Sequence, residues 1–109
     1  MWLPQSTGSE AVEAAVKLAR KWAYTRKMVP DGYADVLFTK GSTWGRSIAA
    51  GAIAEKTFGQ NFGPHTPGLH NSVDYNDARA VERYLKSNPN CAAVIVEPIQ
   101  SAAGVVIPK

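Results

Sequence analysis

The chain has a single cysteine and only two histidines among 109 residues. One thiol, Cys91, excludes an internal disulfide and a thiolate metal cluster. It heads an apolar run, where a cysteine acts as a small hydrophobe, so a buried, inert thiol is expected rather than a reactive one. His65 and His70 lie five apart across Pro67 and Gly68. That is not helical spacing, and no carboxylate follows until Asp74, so no metal site is expected. Long apolar stretches are missing too. The longest, Cys91 to Val96, is far too short to span a bilayer. Charge of one sign is scarce: twelve Lys and Arg against nine Asp and Glu leave +3. Lys17, Arg20, Lys21, Arg26 and Lys27 lie on a helix with mixed faces rather than in a basic patch. Neither nucleic acid nor a membrane is an expected partner. Low-complexity segments, internal repeats and a basic, apolar leader at Met1-Trp2-Leu3-Pro4 are absent as well. The remaining composition, 45% hydrophobic with nine Gly and seven Pro, is that of one globular domain at most.

What is present alternates. Thr7-Gly8-Ser9-Glu10 has the spacing of a capping box. Ala11, Ala15, Leu18 and Trp22 then recur at helical spacing, with Val12, Ala19 and Ala23 beside them, which predicts a helix from about Ser9 to about Lys27. Pro30-Asp31-Gly32 reads as a turn. Asp35 to Thr39 reads as a strand, broken by Gly41-Ser42. A second helix is expected from Gly45 or Arg46 to about Lys56, followed by a loop over Gly59 to Gly68. His70 to Tyr75 alternates weakly, as a strand would. Asn76 is the expected N-cap of a helix through Ala78, Val81 and Leu85, stopped by Asn88-Pro89-Asn90. Cys91 to Val96 has the continuous apolar character of a strand covered on both faces. Gly104 marks a turn in the tail. Helix and strand in alternation predict an α/β fold with a parallel sheet.

Three short motifs could carry chemistry, and each has a plainer reading. Thr7-Gly8-Ser9-Glu10 places a glycine, two hydroxyls and free N–H groups at the positive end of a helix, a setting suited to phosphate; it also fits a plain capped helix. Ser42-Thr43-Trp44-Gly45-Arg46-Ser47 follows a strand, where a parallel sheet opens its ligand crevice. An aromatic there can pack on a planar cofactor and a guanidinium can hold a carboxylate; a half-buried Trp and a surface Arg are the alternative. Val96-Glu97-Pro98-Ile99-Gln100 follows another strand, with Glu97 placed for a ligand or simply turned to solvent.

In this order the motifs resemble the class-III, pyridoxal-phosphate-dependent aminotransferases, and most of all their ornithine branch. The likeness continues through Leu3-Pro4, Lys17-Leu18-Ala19-Arg20-Lys21-Trp22, Trp44-Gly45-Arg46, Phe62-Gly63-Pro64 with Pro67-Gly68, Tyr75-Asn76-Asp77 and Ala103-Gly104-Val105-Val106, so it covers nearly the whole chain. Trp before Gly-Arg, where the wider family more often has His, points to the ornithine branch. The resemblance implies that residues 1–109 form part of the large cofactor-binding domain of a pyridoxal-phosphate transferase, with a three-layer, mostly parallel sheet that is incomplete here. It implies transfer of the δ-amino group of ornithine to 2-oxoglutarate in the full-length enzyme. Amino-acid and 2-oxo-acid substrates, a homo-oligomer or self-association, and a soluble cytoplasmic or mitochondrial-matrix setting come with it.

Residue by residue, Gly8 and Ser9 match the turn that holds the cofactor phosphate, with Thr7 beside them. Thr43 stands where the family has an aromatic ring stacked on the pyridine, so stacking is lost or falls to Trp44. Arg46 matches the arginine that grips a substrate carboxylate, and Glu97 a glutamate lining the cofactor pocket. Ser101 and Ala102 replace a glycine and a second glutamate. The lysine that forms the Schiff base and the acidic partner of the pyridinium nitrogen, both required by the chemistry, fall beyond the matched stretch. No catalytic residue is therefore expected in this chain. Three readings stay open: part of an ornithine-type aminotransferase, a catalytically dead phosphate- or cofactor-binding or interaction module derived from one, and an unrelated small α/β protein.

Overall fold

A computed structural model describes residues 1–53 and 59–109. Six elements follow in chain order: α1 (Gly8–Thr25), β1 (Asp35–Thr39), α2 (Ile48–Ile53), β2 (Asn71–Val73), α3 (Ala78–Ser87) and β3 (Cys91–Ile95). The strands form one sheet in the order β2-β1-β3, and both pairings are parallel. This is the expected α/β arrangement. The expected end of the second helix at Lys56 lies outside the described residues. Residues 60–70 are irregular, in keeping with the predicted loop.

Helix α1 starts where its capping chemistry dictates. The Thr7 hydroxyl accepts the Glu10 N–H at 3.2 Å, satisfying one of the first-turn donors. At the other end Met28 takes a left-handed conformation (φ 62°) and Val29 N–H donates to the Ala23 carbonyl at 3.0 Å, so the helix closes at Thr25, short of Lys27. The helical spacing leaves two apolar stripes, and the structure shows which one packs. Val16 and Ala23 are buried, with Val12 and Ala19 half-buried beside them, while Ala11, Ala15, Leu18 and Trp22 face outward. Both stripes have helical spacing; the one with the smaller side chains lets α1 sit closest to the sheet.

The core gathers where α1 and α2 cover one sheet face. Val36 and Phe38 of β1, Val16, Trp44, Ala50, Ala52 and Leu69 form it, with Ala93 and Ile95 of β3 at its margin. Strand β1 is the buried one; Val36 and Leu37 have no exposure and Phe38 1%. The expectation that Cys91 to Val96 is covered on both faces is not met among the described residues: β3 pairs with β1 on one side, only Cys91 is fully buried, and Val96 lies outside the strand and is exposed.

Helix α3 buries no residue fully. Its cap is Asp77, whose Oδ1 accepts the Ala80 N–H at 2.8 Å, and not Asn76. Asn76 instead takes φ 65°, a left-handed turn that asparagine tolerates better than most residues. Tyr84 donates its hydroxyl to Asp35 and ties the helix to the start of β1.

Candidate functional site

In a parallel sheet the crossover helices run antiparallel to the strands, so helix N-termini and strand carboxyl ends share one edge. Here that edge collects all three motifs. After Thr39 the chain turns through Gly41 (φ 78°), where an added Cβ would lie 2.9 Å from Gln100 Oε1. Gln100, only 2% exposed, donates through Nε2 to the Lys40 carbonyl at 2.6 Å and to Ser42 Oγ at 2.9 Å. Its main chain exchanges two hydrogen bonds with Val106, so the tail folds back through the Gly104 turn. Ser42 Oγ also lies 2.9 Å from Thr39 Oγ1. This network holds residues 42–43 beside the end of β3, where the Thr43 N–H donates to Glu97 Oε2 at 3.2 Å.

The same loop meets the start of α1. Arg46 N–H donates to Ser9 Oγ at 3.3 Å. Between them Gly45 takes φ 111°, and an added Cβ would lie 2.2 Å from Ser9 Oγ; only glycine supplies both the backbone angle and the space. Ser47 donates its hydroxyl to Glu13 and accepts the Ala50 N–H at 3.1 Å, capping α2. Thr7, Gly8, Ser9, Thr43, Arg46 and Glu97 thus form one connected strip along the carboxyl edge. Thr43 and Arg46 are exposed, and Ser9 and Glu97 half-buried. Among the described residues no carboxylate pairs with the Arg46 guanidinium, and the Gly8 and Ser9 N–H groups make no hydrogen bond.

Trp44 departs from its expected role. It is 9% exposed and packs edge-on against Phe38, with ring centroids 5.4 Å apart and planes at 62°. Its ring is a core element, so it does not offer a face to a planar ligand, and Thr43 alone stands exposed at that point of the loop. Gln100, Gly41, Gly45 and Glu13 had no assigned part in the site. The signal for the glycines was a glycine beside each turn of the 40–47 loop; nothing local marks Gln100 or Glu13, whose partners are distant in sequence.

The other edge of the sheet has different chemistry. Asp35 Oδ2 accepts from Tyr84 Oη and from Asn71 Nδ2 at 3.1 Å, while its Oδ1 is buried without a partner among the described residues. Burial, followed by the Asp35 contact and charge, raises the Tyr84 phenol above its ordinary range. Burial likewise raises the Cys91 thiol, with the Asp35 charge adding to it, and the thiol is buried as expected. Among the described residues no group of His, Cys, Asp or Glu gathers as metal ligands, and no helix is long and apolar enough to cross a membrane.

Comparison with known proteins agrees with the motifs. The profile of the class-III aminotransferases matches residues 1–109. The chain is 51% identical over 107 residues to a probable mitochondrial ornithine aminotransferase of Caenorhabditis elegans, covering 97% of this chain and 25% of that protein. It is 46% identical over 107 residues to the mitochondrial ornithine aminotransferase of Rattus norvegicus, covering 97% of this chain and 24% of that one. The crystal structure of the ornithine aminotransferase from Toxoplasma gondii ME49 superposes with a TM-score of 0.91 at 46% identity, over 96% of this chain and 25% of that one. The chain thus spans about a quarter of the length of the relatives it matches. On the motifs, the parallel sheet and these likenesses together, the chain belongs to the class-III aminotransferase family.

Proposed function

We propose that these 109 residues are the phosphate- and carboxylate-holding part of an ornithine-type aminotransferase, one partial large domain of an enzyme that moves the δ-amino group of ornithine to 2-oxoglutarate. The observation that carries this reading is the strip at the carboxyl edge, where the Gly8 and Ser9 amides of α1 and the Arg46 guanidinium, both without a partner among the described residues, flank the Thr43–Glu97 contact. Pyridoxal phosphate is supported here by two observations: among the described residues the Gly8 and Ser9 N–H groups make no hydrogen bond, and an added Cβ at Gly8 meets nothing within 4 Å, so that side of the first turn is uncrowded. Thr7, Gly8 and Ser9 would hold the phosphate, with the helix dipole in support. Thr43 and Glu97 would flank the ring, and Trp44 would back the loop from the core. When bound, the cofactor supplies the electron sink for amino transfer.

Arg46 binds the substrate carboxylate, because a guanidinium meets a carboxylate with two parallel hydrogen bonds. The catalytic lysine is proposed to lie outside these residues. Lys27, Lys40 and Lys86 are engaged with the Cys91 carbonyl, Asp74 and Glu82. A homo-oligomer is part of the same proposal. The second reading, a catalytically dead phosphate- or cofactor-binding or interaction module, is favoured by Thr43, Ser101 and Ala102, which depart from the family pattern.

The test has two arms. The pure chain with pyridoxal phosphate, ornithine and 2-oxoglutarate is expected to show no turnover. Grafted in place of the matching quarter of the rat enzyme, it is expected to support turnover of ornithine. Turnover by the chain alone contradicts the missing lysine; a folded, cofactor-loaded graft without turnover favours the dead module.

A further inference from the structure

The two anion-holding ends of the strip meet at one hydroxyl. Ser9 Oγ accepts the Arg46 N–H at 3.3 Å. That contact uses a lone pair and leaves the Ser9 O–H able to donate, since a serine hydroxyl is one donor and two acceptors. The contact is also built from both sides. Gly45, at φ 111°, brings the loop so close to Ser9 that a Cβ would lie 2.2 Å from its Oγ. Glu13, one turn further along α1, accepts the Ser47 hydroxyl, which in turn accepts the Ala50 N–H. Residues 45 and 47 are thereby pinned on either side of Arg46.

We propose that Ser9 is a positioning residue that makes anion occupancy at the first turn of α1 and carboxylate capture by Arg46 cooperative, with Gly45 and Glu13 holding the contact. This rests on the reading of the strip given above. An anion that accepts the Ser9 O–H polarises Oγ and strengthens the bond it receives from the Arg46 N–H. The 44–47 loop is then held more firmly, and the guanidinium loses less freedom when it takes a carboxylate. By linkage, the carboxylate raises the anion affinity by the same factor. One net hydrogen bond supports a coupling of about 2- to 10-fold.

The experiment follows amide and arginine side-chain signals of the chain while inorganic phosphate and glutarate are titrated singly and together. The Gly8 and Ser9 amides report phosphate and the Arg46 side-chain N–H reports glutarate. The glutarate dissociation constant is expected to fall about 2- to 10-fold in saturating phosphate, and the Arg46 amide to shift on phosphate alone. Ser9→Ala is expected to bind phosphate more weakly, through the remaining amides, and to bind glutarate with no gain in saturating phosphate, while Ser9→Thr, which keeps the hydroxyl, is expected to retain the coupling. Glu13→Gln keeps an acceptor for Ser47 and is expected to retain coupling that Glu13→Ala weakens. Independent or competing binding in the parent chain, or coupling that survives Ser9→Ala, overturns the proposal while leaving the site intact. Absence of phosphate shifts at Gly8 and Ser9 together with absence of glutarate binding at Arg46 overturns the site and the coupling with it.

Discussion

The two edges of the sheet carry similar residue types and treat them in opposite ways. At the amino edge the carboxylate of Asp35 is enclosed by Tyr84 and Asn71, Lys27 Nζ donates to the Cys91 carbonyl at 2.7 Å, and the thiol is buried. At the carboxyl edge the guanidinium of Arg46 and the first amides of α1 face outward, and the hydrogen bonds serve to hold backbone in place: Gln100 on Lys40, Thr43 on Glu97, Arg46 on Ser9. The first arrangement uses polar groups to close the fold. The second uses them to shape a loop and leaves charge available. Strand polarity explains the asymmetry, because only the carboxyl edge receives helix N-termini with unsatisfied donors.

Both edges hang on β1, so the largest expected effect is the loss of both together. Phe38→Ala removes a ring that is 1% exposed and supports Trp44. It is expected to cost about 3–5 kcal/mol, a large share of the stability of any small domain, read as a lowered urea midpoint. A midpoint shift worth under about 1 kcal/mol would place the core elsewhere.

Arg46→Ala separates the edges. Its guanidinium supports nothing else among the described residues, so the urea midpoint is expected to stay where it is. Carboxylate binding is expected to weaken by about 1.5–3 kcal/mol, the range for a hydrogen bond to a charged group, measured by glutarate titration. Loss of fold, or unchanged binding, would remove Arg46 from the site.

Much of this was legible in the sequence, and the misses share a cause. The bounds of β1, the capped start of α1 and the parallel α/β order follow from local pattern: period, cap and turn chemistry. What local pattern left open or missed depended on which surface another element covers. Helix α1 offers two apolar stripes, and only the sheet decides that Val16 and Ala23 turn inward and Leu18 and Trp22 outward. The apolar run of β3 looks like an interior strand, and among the described residues it pairs with β1 on one side. Asn76 and Asp77 are both good caps, and the left-handed turn at Asn76 settles the choice. Trp44 reads equally well as a ligand-facing or a core aromatic until Phe38 is placed beside it. The three site motifs were visible one by one. The Ser9–Arg46 and Thr43–Glu97 contacts that join them cross the fold and leave no local mark.

A smaller effect distinguishes the amino edge by pH. Tyr84 and Cys91 both have pKa values raised in the folded chain, above ordinary values of 10.0 and 9.0. A group with a raised folded pKa ionises first in the unfolded chain, so its contribution is fully present below the ordinary value and fades as pH rises through the folded one. The urea midpoint is therefore expected to be unaffected by these two groups below about pH 9 and to fall above it. The fall is expected to be shallower in Tyr84→Phe and in Cys91→Ala, with phosphate binding unchanged in both. An alkaline profile identical to that of the parent chain in both variants would contradict the enclosed amino edge.

The central claim is that the carboxyl edge holds an anion at the first turn of α1, and a phosphate titration followed by amide shifts tests it most directly. Millimolar binding is expected, about 4 kcal/mol, because an exposed helix dipole contributes only about 0.3–1 kcal/mol. The Gly8 and Ser9 amides are expected to move most. Gly8→Val, which has room for its Cβ in the fold but fills the approach to the amides, is expected to abolish the response, and Arg46→Ala to preserve it. Shifts confined to Arg46 and Lys40, with Gly8 and Ser9 unmoved, would contradict the account.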